Sequence, residues 1–153
     1  MFYRPRPAAP HLVIDLRQAK ELTRRLIENY EQGFTPMLFL FVGRDPMVVP
    51  LTVPDERWRP LLIRLLQRYR PRAYAMVTQA VTTLDLSAVE RGMEAIPLDD
   101  VDEEVMFVVV KPGQAPQMEM AKILRTTKGR KLDTYRKMGI APDFVEETMI
   151  LNW

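Results

Sequence analysis

Apolar residues recur at spacings of three and four between residues 12 and 30, and charged residues fill most positions between them. This period is that of a helix with one apolar face. Asp15 and Gln18 have the spacing of a capping box, and Gly33 supplies a stop signal. The pattern therefore predicts an amphipathic first helix. Its apolar stripe comprises Leu12, Leu16, Ala19, Leu22, Leu26, Ile27 and Tyr30.

A different pattern follows, in which Met37 to Val42 form an unbroken apolar run between Pro36 and Gly43. A short apolar run between turn residues is typical of a strand buried on both faces. Residues 43–46 have turn chemistry, and the chain returns through residues 47–53. Pro50 has no N–H group to donate, which places the returning strand at the edge of the sheet.

A second helix is predicted from Asp55 to about Tyr69, with Pro71 as its end. Strands are predicted at residues 73–84, 104–111 and 117–127, where β-branched residues are frequent or apolar and polar residues alternate. Residues 85–103 are irregular, with a short helix near 88–93 left open. The basic segment 128–139 is predicted as a loop or short helix, and a last helix begins at Pro142.

The resulting order is α-β-β-α-β-β-β-(α), which predicts an α+β fold. Two strands that are apolar on both sides need cover on both faces. We therefore expect one domain at residues 12–153, with a central, mainly antiparallel five-stranded sheet and helices on both faces. Residues 1–11, with three prolines, are expected to form an extended N-terminal arm. The element order resembles the roadblock and profilin-like group of folds, which implies an adaptor or small-ligand sensor.

Composition is that of a globular protein: 153 residues, 47% apolar and 27% charged. The chain has no cysteine, so disulfides and thiolate metal sites are excluded. Its apolar runs are far shorter than the roughly 20 residues that cross a bilayer. The N-terminus lacks the apolar core of a secretory signal. We expect a cytoplasmic protein with no membrane contact.

Charge is segregated although the net charge is only +2. Residues 57–72 contain six arginines and no acid, residues 94–104 contain six acids and no base, and residues 122–137 are again basic. Segregated charge favours directed contacts over bulk binding of a polyanion.

No catalytic set is present. His11 is the only histidine and lies in the N-terminal arm, and neither phosphate-binding glycine motif occurs. The acidic segment 99–104 has oxygen ligands for Mg²⁺ or Ca²⁺ but not the spacing of an EF-hand, so we interpret it as a solvated loop. The sequence calls for no cofactor and no metal, and favours a non-catalytic protein over an enzyme.

These patterns predict a small protein-binding or adaptor protein that acts through charged patches, as a homodimer. The alternative is a nucleic-acid-binding protein, because arginine binds phosphate in a bidentate manner. The same contact residues serve both hypotheses: Arg57, Arg59, Arg64 and Arg68 on the second helix, and Arg125, Lys128, Arg130 and Lys131 further on. The apolar C-terminus, including Ile150 and Trp153, is expected to be packed.

Overall fold

The computed structural model describes residues 9–29, 34–83 and 101–153, and its side chains at residues 16–29, 34–80 and 103–153. The helices are α1 (Ala9–Asn29), α2 (Trp58–Tyr69) and α3 (Pro142–Thr148), and a 3-10 turn, Asp55–Arg57, precedes α2. The strands are β1 (Met37–Leu40), β2 (Met47–Pro50), β3 (Tyr74–Thr83), β4 (Val101–Val110), β5 (Gln117–Thr126), β6 (Gly129–Leu132) and β7 (Arg136–Met138).

The seven strands of the described ranges form one sheet in the order β2-β1-β3-β4-β5-β6, and β7 also pairs with β5. Every pair is antiparallel. The α+β class and the helices on both faces are thus confirmed. The five-strand count was wrong, because the basic segment 128–139 supplies β6 and β7 instead of a loop or helix.

The edge position of β2 follows from its proline. Leu51 N–H donates to the Pro36 carbonyl at 2.8 Å, which fixes the alternation of the β1–β2 ladder. The backbones of Met47 and Val49 therefore point toward β1, and those of Val48 and Pro50 point outward. The N–H group that proline lacks would point to the free edge. The ladder with β1 therefore loses no hydrogen bond, and the free edge has one donor fewer. The predicted edge strand is confirmed.

Helix α1 covers one face of the sheet. Ala19 and Ile27 pack with the odd-numbered core residues of β1, β3, β4 and β5, among them Phe39 and Phe107. Glu28 Oε1 accepts from the Leu132 N–H at 3.4 Å and so ties the helix to β6. The helix begins at Ala9, within the predicted extended arm, which is possible because a proline in the first turn removes no intrahelical hydrogen bond. Asp15 therefore lies inside the helix, and its predicted capping role was wrong.

The opposite face is covered by α2 and by the chain that follows α3. Leu62 and Leu66 of α2 are buried against Leu38 and Leu40 of β1. Met149 is buried in the same cluster, and Trp153 Nε1 donates to the Pro71 carbonyl at 2.8 Å. The prediction that the C-terminus is packed is confirmed. No helix of the described part is long and apolar enough to span a membrane.

Candidate protein-binding surface

The arginines of α2 lie on the outer side of that helix. Arg57, Arg59, Arg64 and Arg68 are all exposed, and none forms an ion pair with another described side chain. The Arg68 guanidinium lies 5.3 Å from the centre of the Tyr69 ring. The apolar inner stripe of α2 faces the sheet, so these arginine side chains lie on the solvent side and are available to an anionic partner.

The second predicted group lies on the β5–β6 hairpin, and its four residues differ in exposure and in pairing. Arg125 is paired with Glu103 at 3.0 Å, and Lys128 sits in the hairpin turn, where its N–H donates to Thr126 Oγ1 at 3.3 Å. Arg130 is half-buried and Lys131 is exposed. Helix α2 packs against β1 and β3, whereas the hairpin is formed by β5 and β6, so the two groups lie over different parts of the sheet.

Sequence reasoning missed a third surface, on the part of the sheet face beyond α2. Met106 lies directly opposite Met120, and Met118 directly opposite Met138, so two methionine pairs lie side by side on neighbouring strands. Leu124 continues this face along β5. We call Met106, Met118, Met120, Leu124 and Met138 the methionine face.

The methionine face is partly open to solvent. Leu124 is 41% exposed and Met138 is 40% exposed, and the other three methionines are half-buried. The alternation of β5 indicated which residues share a face, but not that helix cover would stop short of them. An adjoining apolar groove of about 560 Å³ lies beside α3 and is lined by Pro116, Met138, Ile140, Val145 and Leu151, among others.

Cationic side chains border this face. Lys122 lies opposite Glu104 on the neighbouring strand, and Lys131 lies opposite Leu124. Arg136 lies opposite Met120 and pairs with Glu104, which is only 6% exposed. Lys122 and Lys131 are exposed and form no ion pair with a described side chain. Lys122 lies between Met120 and Leu124 on the same side of β5, so the basic border runs beside the four methionines and separates Leu124 from them.

A larger concavity of about 660 Å³ lies on the other face, between α1 and residues 132–135. Lys20 is paired with Glu119 at 2.5 Å, and its Nζ lies 4.9 Å from the centre of the Tyr135 ring. The Tyr135 hydroxyl is buried without a hydrogen-bond partner, and burial raises its pKa, with a further contribution from Glu119. The lining of this concavity thus includes an ion pair of Lys20 with Glu119 and a buried phenol that stays protonated at neutral pH.

The acidic segment gives no metal centre in the described residues. Asp99 and Asp100 lie outside the described residues, as does the segment near 88–93 for which a short helix was left open. Glu103 and Glu104 are successive strand residues, so they point to opposite faces and pair with different arginines. Where side chains are described, no group of three or more potential metal ligands lies together.

Comparison with protein-family models, curated proteins and solved structures gives no match for this chain. The resemblance to the roadblock and profilin-like folds thus rests on element order alone and stays a prediction.

Proposed function

We propose that this chain is a non-catalytic protein-binding or adaptor protein, and that the methionine face is its main contact surface. The observation that carries the proposal is an apolar sheet face, built from two cross-strand methionine pairs, that remains partly exposed beside a basic border. Contiguous exposed apolar surface with a polar rim is characteristic of interaction sites.

The choice of methionine supports binding, and Met106 and Met118 also pack at the margin of the core under α2. An unbranched thioether side chain adapts its shape to a partner at low cost, and methionine is frequent at adaptable binding surfaces. The groove beside α3 shares Met138 with this face and extends the apolar surface. A partner that covers both would bury side chains that the fold itself leaves half-exposed.

The homodimer expected from the sequence remains a prediction. In a two-fold dimer through the methionine face, the basic border would meet its own copy, because a symmetric interface pairs a patch with itself. This repulsion favours a different partner at this face. Size-exclusion chromatography with light scattering tests the dimer: a mass of 17.8 kDa at micromolar concentration would exclude it.

A site-specific cross-linker tests the proposed surface. A photoreactive residue at Met120, in extract of the source cells, should capture a partner that mass spectrometry identifies. Leu124→Glu should abolish this capture because it puts a charge into the apolar contact. The matched control is Leu22→Glu on α1, where the wild-type leucine is 36% exposed, close to the 41% of Leu124. Equal capture by both variants would contradict the proposal.

Nucleic-acid binding is the second candidate, and the unpaired, exposed arginines of α2 support it. Binding through phosphate contacts should weaken steeply with salt, since counterions are released. Fluorescence anisotropy with single- and double-stranded oligonucleotides measures this directly. Arg64→Glu/Arg68→Glu should remove the binding. Affinity no tighter than about 100 μM at low salt would rule this function out.

A further inference from the structure

We infer that the partner segment recognised by the methionine face is an amphipathic helix with an acidic polar side. This inference rests on the proposed function, since it specifies what the protein-binding surface takes. Two properties of the described residues lead to it, the dimensions of the open face and the charge of its border, and two blocked positions on the sheet edges agree with it.

Two positions on the sheet edges oppose the addition of a strand. Pro50 removes an outward donor from β2, as its position in the ladder shows. At the other edge, the Leu132 N–H of β6 is taken by Glu28 of α1. Strand addition depends on free backbone groups along an edge. Residues 78–83 of β3 extend past β1 and have no partner strand on that side in the described part, so the edges alone do not exclude strand addition; the exposed side chains of the methionine face are what favour docking on the face.

The dimensions of the open face suit a helix. The methionine face lies on β4, β5 and β7, so it is three strands wide, with two spacings of about 4.8 Å between them. A helix with its side chains is about 10–12 Å across. The neighbouring half of this face is already covered by a helix, α2, through leucines at helical spacing. A second helix would continue the same layer.

The positive charge of the border indicates that the polar side of that helix is acidic. Lys122 and Lys131 are exposed and unpaired among the described side chains, and the exposed Arg136 completes the border. Glu104, the carboxylate beside Lys122, is already paired with Arg136. Carboxylates that flank an apolar stripe would meet these cations, whereas lysines at the same positions would be repelled.

Two synthetic helical peptides test the inference on the intact chain. Both carry the same leucine stripe; one has glutamates and the other has lysines on the polar side. Binding is followed by NMR of the methionine methyl groups, which reports on the face itself. We expect the acidic peptide to bind at least about tenfold tighter, with shifts at Met106, Met118, Met120 and Met138. Lys122→Glu/Lys131→Glu should reverse the preference.

Matched variants separate the effect of the border lysines from the effect of net charge. Arg64→Glu/Arg68→Glu makes the same charge change on α2 and should leave the preference intact; if it reverses the preference equally, net charge is responsible and the inference is overturned. Equal binding of the two peptides at the methionine methyls also overturns it, while the proposed function stands. If neither peptide shifts these methyls, as when another segment of the chain covers the face, the inference is overturned. The cross-linking experiment then decides the proposed function separately.

Discussion

Tyr74 and Ile150, 76 positions apart in the chain, exchange two hydrogen bonds. The Tyr74 hydroxyl donates to the Ile150 carbonyl at 2.8 Å and accepts from the Ile150 N–H at 3.0 Å. The Trp153 ring packs against the Tyr74 ring, with 5.4 Å between centroids. A buried residue at the start of β3 thus holds the C-terminal segment against the sheet by polar and apolar contacts together.

Tyr74→Phe should destabilise the fold without changing its topology. The substitution keeps the ring but leaves the Ile150 N–H and carbonyl without this partner, at a cost of about 1–3 kcal/mol. For a chain of this size we expect the melting temperature to fall by roughly 2–10 °C. Calorimetry measures it. Tyr69→Phe is the control, because the Tyr69 hydroxyl has no hydrogen bond in the described part. An equal drop in both variants would contradict the role of this pair.

Stability should decline in alkali because of the same side chain. Burial raises the pKa of Tyr74 to about 12, whereas an unfolded tyrosine titrates near 10. The unfolded chain therefore loses this proton first, so the contribution is complete below about pH 10 and is lost as the pH rises toward 12. Urea unfolding at pH 8, 9.5 and 10.5 should show a shallower decline in Tyr74→Phe. Since burial also raises the pKa of Tyr135, adding Tyr135→Phe should flatten it further.

Deletion of residues 148–153 should lower the melting temperature by several degrees. It removes Met149, whose full burial is worth about 1.5–3 kcal/mol, together with the Trp153 contact to the Pro71 carbonyl. It also uncovers the Tyr74 ring. Asn152→Ala, at an exposed position, is the control and should melt as the wild type does. An unchanged melting temperature in the truncated chain would show that the segment adds nothing to stability.

Pro50→Val should promote self-association through β2. The valine restores an N–H group that points away from β1, and it lengthens an edge that already carries Val48 and Val49. Sedimentation velocity should show concentration-dependent association beyond any that the wild type shows. Adding Val48→Lys should restore the wild-type behaviour, because an edge lysine opposes strand pairing. A variant as monodisperse as the wild type would mean that Pro50 does not protect the edge.

Substitutions of Glu104 and Arg136 should have non-additive effects on the free energy of unfolding. Arg136→Ala leaves a buried carboxylate without its partner, and we expect a loss of about 1–3 kcal/mol. In the Arg136→Ala/Glu104→Gln double variant the loss should be smaller than the sum of the two single losses. Urea unfolding of the four proteins gives the coupling energy, for which direct contacts show about 0.5–3 kcal/mol. Additive losses would show that the pair contributes no interaction of its own.

Local pattern was sufficient for much of the fold. The three-four spacing of residues 12–30 predicted α1, and the apolar run at Met37 predicted a strand buried on both faces, as found. Pro50 indicated an edge and Pro142 a helix start, because a proline ring fixes its own φ and removes a donor. These features depend on the residues themselves and their immediate neighbours.

The segment 128–139 shows where local pattern was insufficient. Its lysines and arginines suggested a loop, but a two-residue turn pairs Thr126 with Gly129 and brings the basic residues onto β5 as strands. Gly129 adopts a φ of 123°, which its lack of a side chain allows. Pairing with β5 supplies the hydrogen bonds that make these residues strands, and tertiary context overrides their low β-propensity.

By itself, then, the sequence determined the helices, most of the strands and the residues that share each sheet face, because a strand period of two assigns faces by position alone. Only the tertiary structure decided how far along each face the cover extends. Helix α2 and the C-terminal segment cover the half of the sheet nearest Tyr74. Met106 and Met118 pack at the margin of this cover, and the rest of the methionine face lies outside it. Burial depends on contacts between residues far apart in the chain, and no local period encodes where those contacts end.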